Sequence, residues 1–171
     1  NPCGEQPLPN YGCCDLGPVI LTRFVRNPFG AGGAPGFDFE AFEQAVAVQV
    51  RALGNVLDVA WWPLPQQREE AQAKRRIGVG FTGLGNTLSM LCLRYDREDG
   101  REMAARIAER MRNAAYRASV ELAKEKGAFP KFDAAAYLGG GSFASRLPDD
   151  IKDGIKKYGL RNSHLLSIAP T

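Results

Sequence analysis

Several residue types and patterns are scarce in this chain, and each scarcity excludes something. Histidine occurs once, at His164, and the four cysteines, Cys3, Cys13, Cys14 and Cys92, form no CxxC pair. Structural zinc sites draw on thiols or imidazoles paired at short spacing, so no metal site is expected. No apolar run reaches the length of about eighteen residues that a membrane helix needs, and no charged-then-apolar leader opens the chain. No membrane span is expected, and a cytoplasmic location is the default. Charge of one sign is lacking too. The 22 Lys and Arg against 19 Asp and Glu leave a net +3, largely interleaved, which predicts neither a nucleic-acid partner nor a membrane surface. Internal repeats are absent.

What is present is the composition of an ordinary folded protein. At 171 residues, 44% hydrophobic and 24% charged, the chain suits one domain with a real core. Residues 1–17, rich in Pro, Gly and Cys, predict a rigid irregular loop running into a strand, and residues 19–25 read as β-rich. Residues 27–36 form a turn or connector. Asp38 is placed as a helix N-cap, followed by Glu40 and Glu43 where the helix dipole favours negative charge. From there Phe39, Phe42, Val46, Val50, Leu53 and Leu57 recur at helical spacing, predicting an amphipathic helix to about Ala60. Trp61, Trp62, Pro63 and Pro65 end it, with the tryptophans as packing anchors. The basic run Lys74-Arg75-Arg76 reads as a solvated lead-in to the next strand.

That strand, residues 77–81, is followed by a helix predicted to run through Cys92, which behaves there as a small hydrophobe on an apolar face. A long helix is predicted over 99–126, with Met103, Ile107, Met111 and Leu122 on one stripe and Gly127 as its C-terminal cap. Residues 128–148 read as loop, 149–158 as a short helix and 165–169 as a final strand. The alternation of strands and helices favours parallel strands joined by helical crossovers. Both ends fall inside motif-like stretches, which predicts a segment of a larger α/β protein.

Gly78-Val79-Gly80-Phe81-Thr82-Gly83 matches GxGxxG between a strand and a helix, so a dinucleotide site has to be weighed. The second strand ending in an acidic residue that such a unit requires is missing, and close strand–helix packing explains the glycines equally well. His164 reads as a hydrogen-bonded structural residue. The opening NPCGEQPLPNYGCCDLG is different. In an extended segment alternate residues share a face, so Asn1, Cys3 and Glu5 could converge on one small molecule. A thiol flanked by an amide and a carboxylate suggests a nucleophile, a redox thiol or a hydrogen-atom donor, with Glu5 as a possible general base, against a merely structural loop.

Three landmarks, NPCGEQPLPNYGCCDLG, GFTGLGNTLSMLCLRYD and RNSHLLSIAPT, stand in this order from end to end. Together they resemble the large catalytic subunit of ribonucleotide reductase, most closely the adenosylcobalamin-dependent class II enzymes. The resemblance implies an α/β fold, a helix-rich fragment of a ten-stranded α/β barrel with a few short parallel strands. Residues 1–17 would hold the active-site loop, 38–126 helices and a strand, and 163–171 the strand leading into a phosphate loop. It also implies roles. Cys3 would carry a thiyl radical that takes the ribose 3′ hydrogen, Glu5 would accept the 3′-hydroxyl proton, and Asn1 would hydrogen-bond the ribose hydroxyls. Cys14, rather than its neighbour Cys13, would be half of a redox disulfide whose partner lies on another strand.

Asn1, Ala169, Pro170 and Thr171 would bind substrate, the last three at the start of the phosphate loop. Implied partners are a ribonucleotide, a thioredoxin-like or glutaredoxin-like reductant and a nucleotide effector in the full-length protein, with adenosylcobalamin as cofactor. Where the family usually has Ser-Ile-Asn-Leu after DLG, this chain has Pro18-Val19-Ile20-Leu21. Competing readings are a class I-type subunit needing a separate radical-generating protein, a non-catalytic helical interaction module, and a dinucleotide-dependent oxidoreductase.

Overall fold

In the computed structural model, residues 3–169 are described. Three parallel strand segments carry the fold. Strand β1, Asp15–Ile20, gives way to a single 3-10 turn at Leu21–Phe24 and to β2, Val25–Arg26, which pairs antiparallel with β3, Gly36–Phe37. The β-rich stretch predicted over 19–25 is thus split by a 3-10 turn that opens at fully buried Leu21.

Helix α1, Phe39–Val59, begins where the sequence placed it, with Asp38 Oδ1 accepting a hydrogen bond from the Ala41 amide at 3.1 Å. Of its predicted stripe Phe42, Val46, Val50, Leu53 and Leu57 are buried, and Phe39, at its start, is half-buried. Phe42 sits edge-on to Phe24 and Phe37, with ring centroids 5.4 and 5.5 Å away. The tryptophans divide. Trp62 packs against the core, whereas Trp61 is 84% exposed and anchors nothing within the described residues.

Helix α2, Pro65–Lys74, was not expected. Its composition, PQQREEAQAK, lacks an apolar stripe, and only Ala71 is buried. Pro65 opens it without cost because the first helical N–H has no partner in any case. The helix stops at Arg75, whose backbone is left-handed (φ 50°). Strand β4, Ile77–Thr82, then runs parallel to β1 in the register Asp15↔Ile77 to Ile20↔Thr82.

Gly83 (φ +78°) turns the chain into α3, Leu84–Met90. This helix is shorter than predicted, and Cys92 lies beyond it, exposed and at φ 60°, rather than on an apolar helical face. Helix α4, Glu98–Lys126, buries Ile107, Met111 and Leu122 as expected, leaves Met103 of the predicted stripe half-buried, and ends at Gly127 with φ +82°. It packs along α1.

Within 128–148, read as loop, lie α5, Ala134–Leu138, and a 3-10 turn at Ala144–Arg146. Asp133 caps α5, accepting from the Ala136 amide at 2.7 Å. Helix α6, Asp149–Tyr158, has the predicted limits.

The last segment pairs with β4 through Val79 N–H to Leu165 O at 2.7 Å and Ser167 N–H to Val79 O at 3.1 Å, in parallel. β4 is therefore central, flanked by β1 and by residues 164–167. Helices cover one face: Ile77 and Val79 are fully buried, and a Cβ at Gly17 would run into Gln49 and Leu53 of α1. The described strands form an open sheet, not a closed barrel. No helix is long and apolar enough to cross a membrane.

Candidate active site

The other face of the sheet is built from small residues. A Cβ on Gly80 would enter the Ser167 carbonyl, and one on Gly78 would collide with Leu16 and lie 2.8 Å from the Ser167 Cβ and 3.2 Å from Cys14 Sγ. The two glycines of the GxG sequence thus let two strands, a thiol and the last segment approach closely, as the packing interpretation of that motif requires; that segment, predicted as a strand over 165–169, makes only an isolated bridge at Leu166. By pleat alternation, Cys14, Leu16, Gly78, Gly80 and Ser167 share this face. Cys13 falls on the opposite side, packed against the core.

The opening segment lies over the same face and is tied down along its length. The Gln6 side-chain amide, almost fully buried, donates to Ile77 O at 3.5 Å and Leu166 O at 3.4 Å. Arg76 donates through Nη1 to Pro7 O at 3.2 Å, and the Ser167 hydroxyl donates to Glu5 O at 3.4 Å. Cys3 and Glu5 do come together, but not by strand alternation. Gly4 has φ +63°, a left-handed turn that folds the Glu5 carboxylate back so that Oε2 accepts the Cys3 N–H at 3.0 Å. An extended CGE segment is therefore corrected to a tight turn, which glycine alone adopts without strain. The Cys3 residue is exposed.

Glu5 forms part of the wall of a cleft of about 560 Å³, with Phe81, Arg112, Phe143, Ser167 and Ile168 among the other lining residues. Ala169 is buried at the end of the last segment. Asn1, Pro170 and Thr171, the remaining residues implicated by sequence, lie outside the described residues.

Burial dominates the titration of the paired thiols. Desolvation, partly opposed by Arg76, pushes Cys14 up to about 12, with smaller upward contributions from Cys13, Asp15 and Glu5. Cys13 is raised by burial and by Asp15. Asp15 is itself raised by burial, and its Oδ2 is buried without a hydrogen-bond partner among the described residues. His164 shares a 2.9 Å hydrogen bond between Nδ1 and the Ser163 hydroxyl. Although the residue keeps an exposed surface, ring desolvation first, then Arg76 and Lys74, lower its pKa to about 4. It is neutral at pH 7, in keeping with a structural residue.

Two groups escaped sequence reasoning. Arg75 and Arg76, read as solvated, are 5% and 6% exposed. Arg75 spans to Asp58 Oδ1 (2.7 Å) and Gly54 O (2.9 Å). Asn162, fully buried, donates from Nδ2 to Arg75 O at 2.9 Å and accepts at Oδ1 from Ser119 Oγ at 3.1 Å. Alternation back from Gly78 would have placed Arg76 on the glycine face. Nothing in the sequence pointed to Asn162.

No group of three or more His, Cys, Asp or Glu side chains that could hold a metal occurs among the described residues. The family description "Ribonucleotide reductase, barrel domain" matches residues 1–171. A vitamin B12-dependent ribonucleoside-diphosphate reductase of Mycobacterium tuberculosis (strain CDC 1551 / Oshkosh) is 36% identical over 171 residues, all of this chain and 21% of that protein. The protein of the same name from Thermoplasma acidophilum is 30% identical over 171 residues, again all of this chain and 19% of that one. The ribonucleoside-diphosphate reductase subunit alpha of Treponema pallidum is 32% identical over 167 residues, covering 95% of this chain and 19% of the relative. The chain thus spans about a fifth of the length of these curated relatives.

Proposed function

Because the chain belongs to the ribonucleotide reductase barrel-domain family, we propose that the protein containing it reduces ribonucleotides, as diphosphates, to deoxyribonucleotides by a thiyl-radical mechanism centred on Cys3. The observation that carries this is the Gly4 turn, which brings the Glu5 carboxylate, on the wall of a cleft, back onto the backbone N–H of an exposed cysteine.

The residues divide the chemistry as follows. A Cys3 thiyl radical takes the ribose 3′ hydrogen as an atom. Sulfur suits this because its S–H bond is weak enough to exchange hydrogen with carbon reversibly, whereas an O–H bond is too strong. Glu5 takes the proton of the 3′-hydroxyl, which helps the 2′-hydroxyl leave as water. Asn1 hydrogen-bonds the ribose hydroxyls, and residues 169–171 begin the loop whose amides hold the phosphates. Cys14 and a second cysteine supply two electrons and two protons, becoming a disulfide as ribonucleotide goes to deoxyribonucleotide and water. Cys3 then returns the hydrogen atom to the 3′ carbon, which restores the thiyl radical. A thioredoxin-like or glutaredoxin-like dithiol restores the pair, and a nucleotide effector acts elsewhere on the longer protein.

The fold supports this placement. Three parallel segments with helices on one face and glycine, thiol and hydroxyl groups on the other suit consecutive strands of a ten-stranded barrel whose interior is the glycine face. Two of the relatives are vitamin B12-dependent by name, which favours adenosylcobalamin. The exposed position of Cys3 fits a radical source that approaches from outside this chain, and Cys3 is the residue that source would meet. When bound, adenosylcobalamin supplies the one-electron oxidising equivalent that a thiol needs to become a thiyl.

In the full-length protein with adenosylcobalamin and substrate, Cys3→Ser should abolish deoxyribonucleotide formation while leaving the far-UV circular dichroism unchanged. Residual turnover in that variant would refute the assignment. Activity that ignores cobalamin but requires a metal-containing partner subunit would instead identify a class I-type enzyme, as the subunit alpha relative suggests.

A further inference from the structure

A buried cation without a carboxylate calls for an explanation. Arg76 is 6% exposed, and among the described residues no Asp or Glu oxygen lies within ion-pair distance of it; its one hydrogen bond to a named partner goes to a neutral carbonyl, Pro7 O. Burying an unpaired guanidinium costs free energy unless some other negative group compensates it. The first rung of the β1–β4 ladder is Asp15↔Ile77, so one step back sets Cys14 beside Arg76. Cys14 Sγ approaches Gly78, two positions further along β4 on the same face. The Pro7 carbonyl that Arg76 binds belongs to the segment carrying Cys3 and Glu5.

We propose that Arg76 is a positioning residue for the thiol chemistry of Cys14, its guanidinium acting as the counter-charge to a Cys14 thiolate. This rests on Cys14 being the redox thiol. When a dithiol reductant opens the disulfide of Cys14, one reductant thiolate attacks the partner sulfur and forms a mixed disulfide. The original S–S bond breaks, and its electron pair stays on Cys14 as a thiolate. The second reductant sulfur then attacks its own mixed disulfide and releases the partner cysteine. The two protons that convert both protein sulfurs to thiols match those lost by the reductant.

A thiolate leaving into this face meets few favourable charges. Glu5, Asp15 and the Cys13 thiol all oppose negative charge on Cys14, and among the described residues Arg76 alone favours it. Around Arg76 itself, Lys74 is held by Glu70 in an ion pair, and His164 is neutral at pH 7. Among the described residues the departing electron pair therefore has one cation to settle against.

The test is thiol alkylation of the reduced full-length protein by iodoacetamide from pH 7 to 10, read at each cysteine by peptide mass spectrometry. In Arg76→Gln the Cys14 rate at pH 8 should fall about tenfold, as for a one-unit rise in its pKa, with the exposed Cys92 unchanged. Cys14 profiles that superimpose on wild type would overturn the proposal. If Arg76→Gln fails to fold, seen as Cys13 reacting as fast as Cys92, the wild-type protein decides. The ratio of the iodoacetate rate to the iodoacetamide rate must be higher at Cys14 than at Cys92, and an equal or lower ratio overturns it. Neither readout needs turnover, so failure of Cys14 to oxidise during catalysis would remove the redox role without being confused with loss of the charge pair.

Discussion

Asn162 ties together three parts of the chain that are distant in sequence, and replacing it should reveal how much of the site's geometry depends on that tie. Its amide is fully buried, donating to the Arg75 carbonyl at 2.9 Å and accepting from Ser119 Oγ at 3.1 Å, while its backbone N–H donates back to Ser119 Oγ at 3.2 Å. In Asn162→Ala the Arg75 carbonyl and the Ser119 hydroxyl each lose a partner in a site without solvent. A buried group left unsatisfied costs about 1–3 kcal/mol, so two predict a loss of about 2–6 kcal/mol. Ser119→Ala removes one side of the same network and should cost less, about 1–3 kcal/mol. Because the two share a bond, the double variant should fall short of the sum. The assay is denaturant unfolding of the full-length protein, with amide hydrogen exchange read on the peptide covering residues 160–169. A loss in Asn162→Ala below about 0.5 kcal/mol, the scale of an ordinary surface change, or strict additivity with Ser119→Ala, would refute the network.

Three further outcomes are expected. Gly80→Ala places a methyl inside the Ser167 carbonyl, so it should cost more than the roughly 1–3 kcal/mol of ordinary overpacking and move Ser167 away from Glu5; a variant as stable and active as wild type would show that the close approach is dispensable. His164 has a native pKa of about 4 against an ordinary value near 6.5, so between these values the unfolded chain binds more protons and stability falls as pH drops, with no contribution above that window. The thermal midpoint of His164→Gln should therefore lose less than that of wild type between pH 7 and pH 5, and parallel losses would contradict this. After one turnover without reductant, trapping of free thiols in the full-length enzyme should find Cys14 oxidised and Cys13 still free, and the reverse would reject Cys14.

Helices were largely legible where burial leaves a period in the sequence. The stripe from Phe42 to Leu57, the Asp38 cap, the Gly127 stop and α6 all follow from side-chain spacing and local backbone chemistry. Helix α2 was not legible, because a ten-residue helix with one buried alanine leaves no stripe to find. Cys92 shows the converse: an apolar neighbourhood in sequence, yet a left-handed backbone past the helix end.

The residues Cys3, Glu5 and Cys14 and their order along the chain belong to the sequence alone, as do the glycines that permit close strands. Only the tertiary structure decided how they meet. The turn at Gly4, rather than an extended run, joins Cys3 to Glu5. Strand pairing across 62 positions, Asp15 to Ile77, selects which of two adjacent thiols faces Arg76 and which faces the core. The sequence shows Lys74-Arg75-Arg76 as three equivalent charges. Packing leaves the first in a surface ion pair and buries the other two, because burial depends on which elements the chain stacks against, a property no local stretch contains.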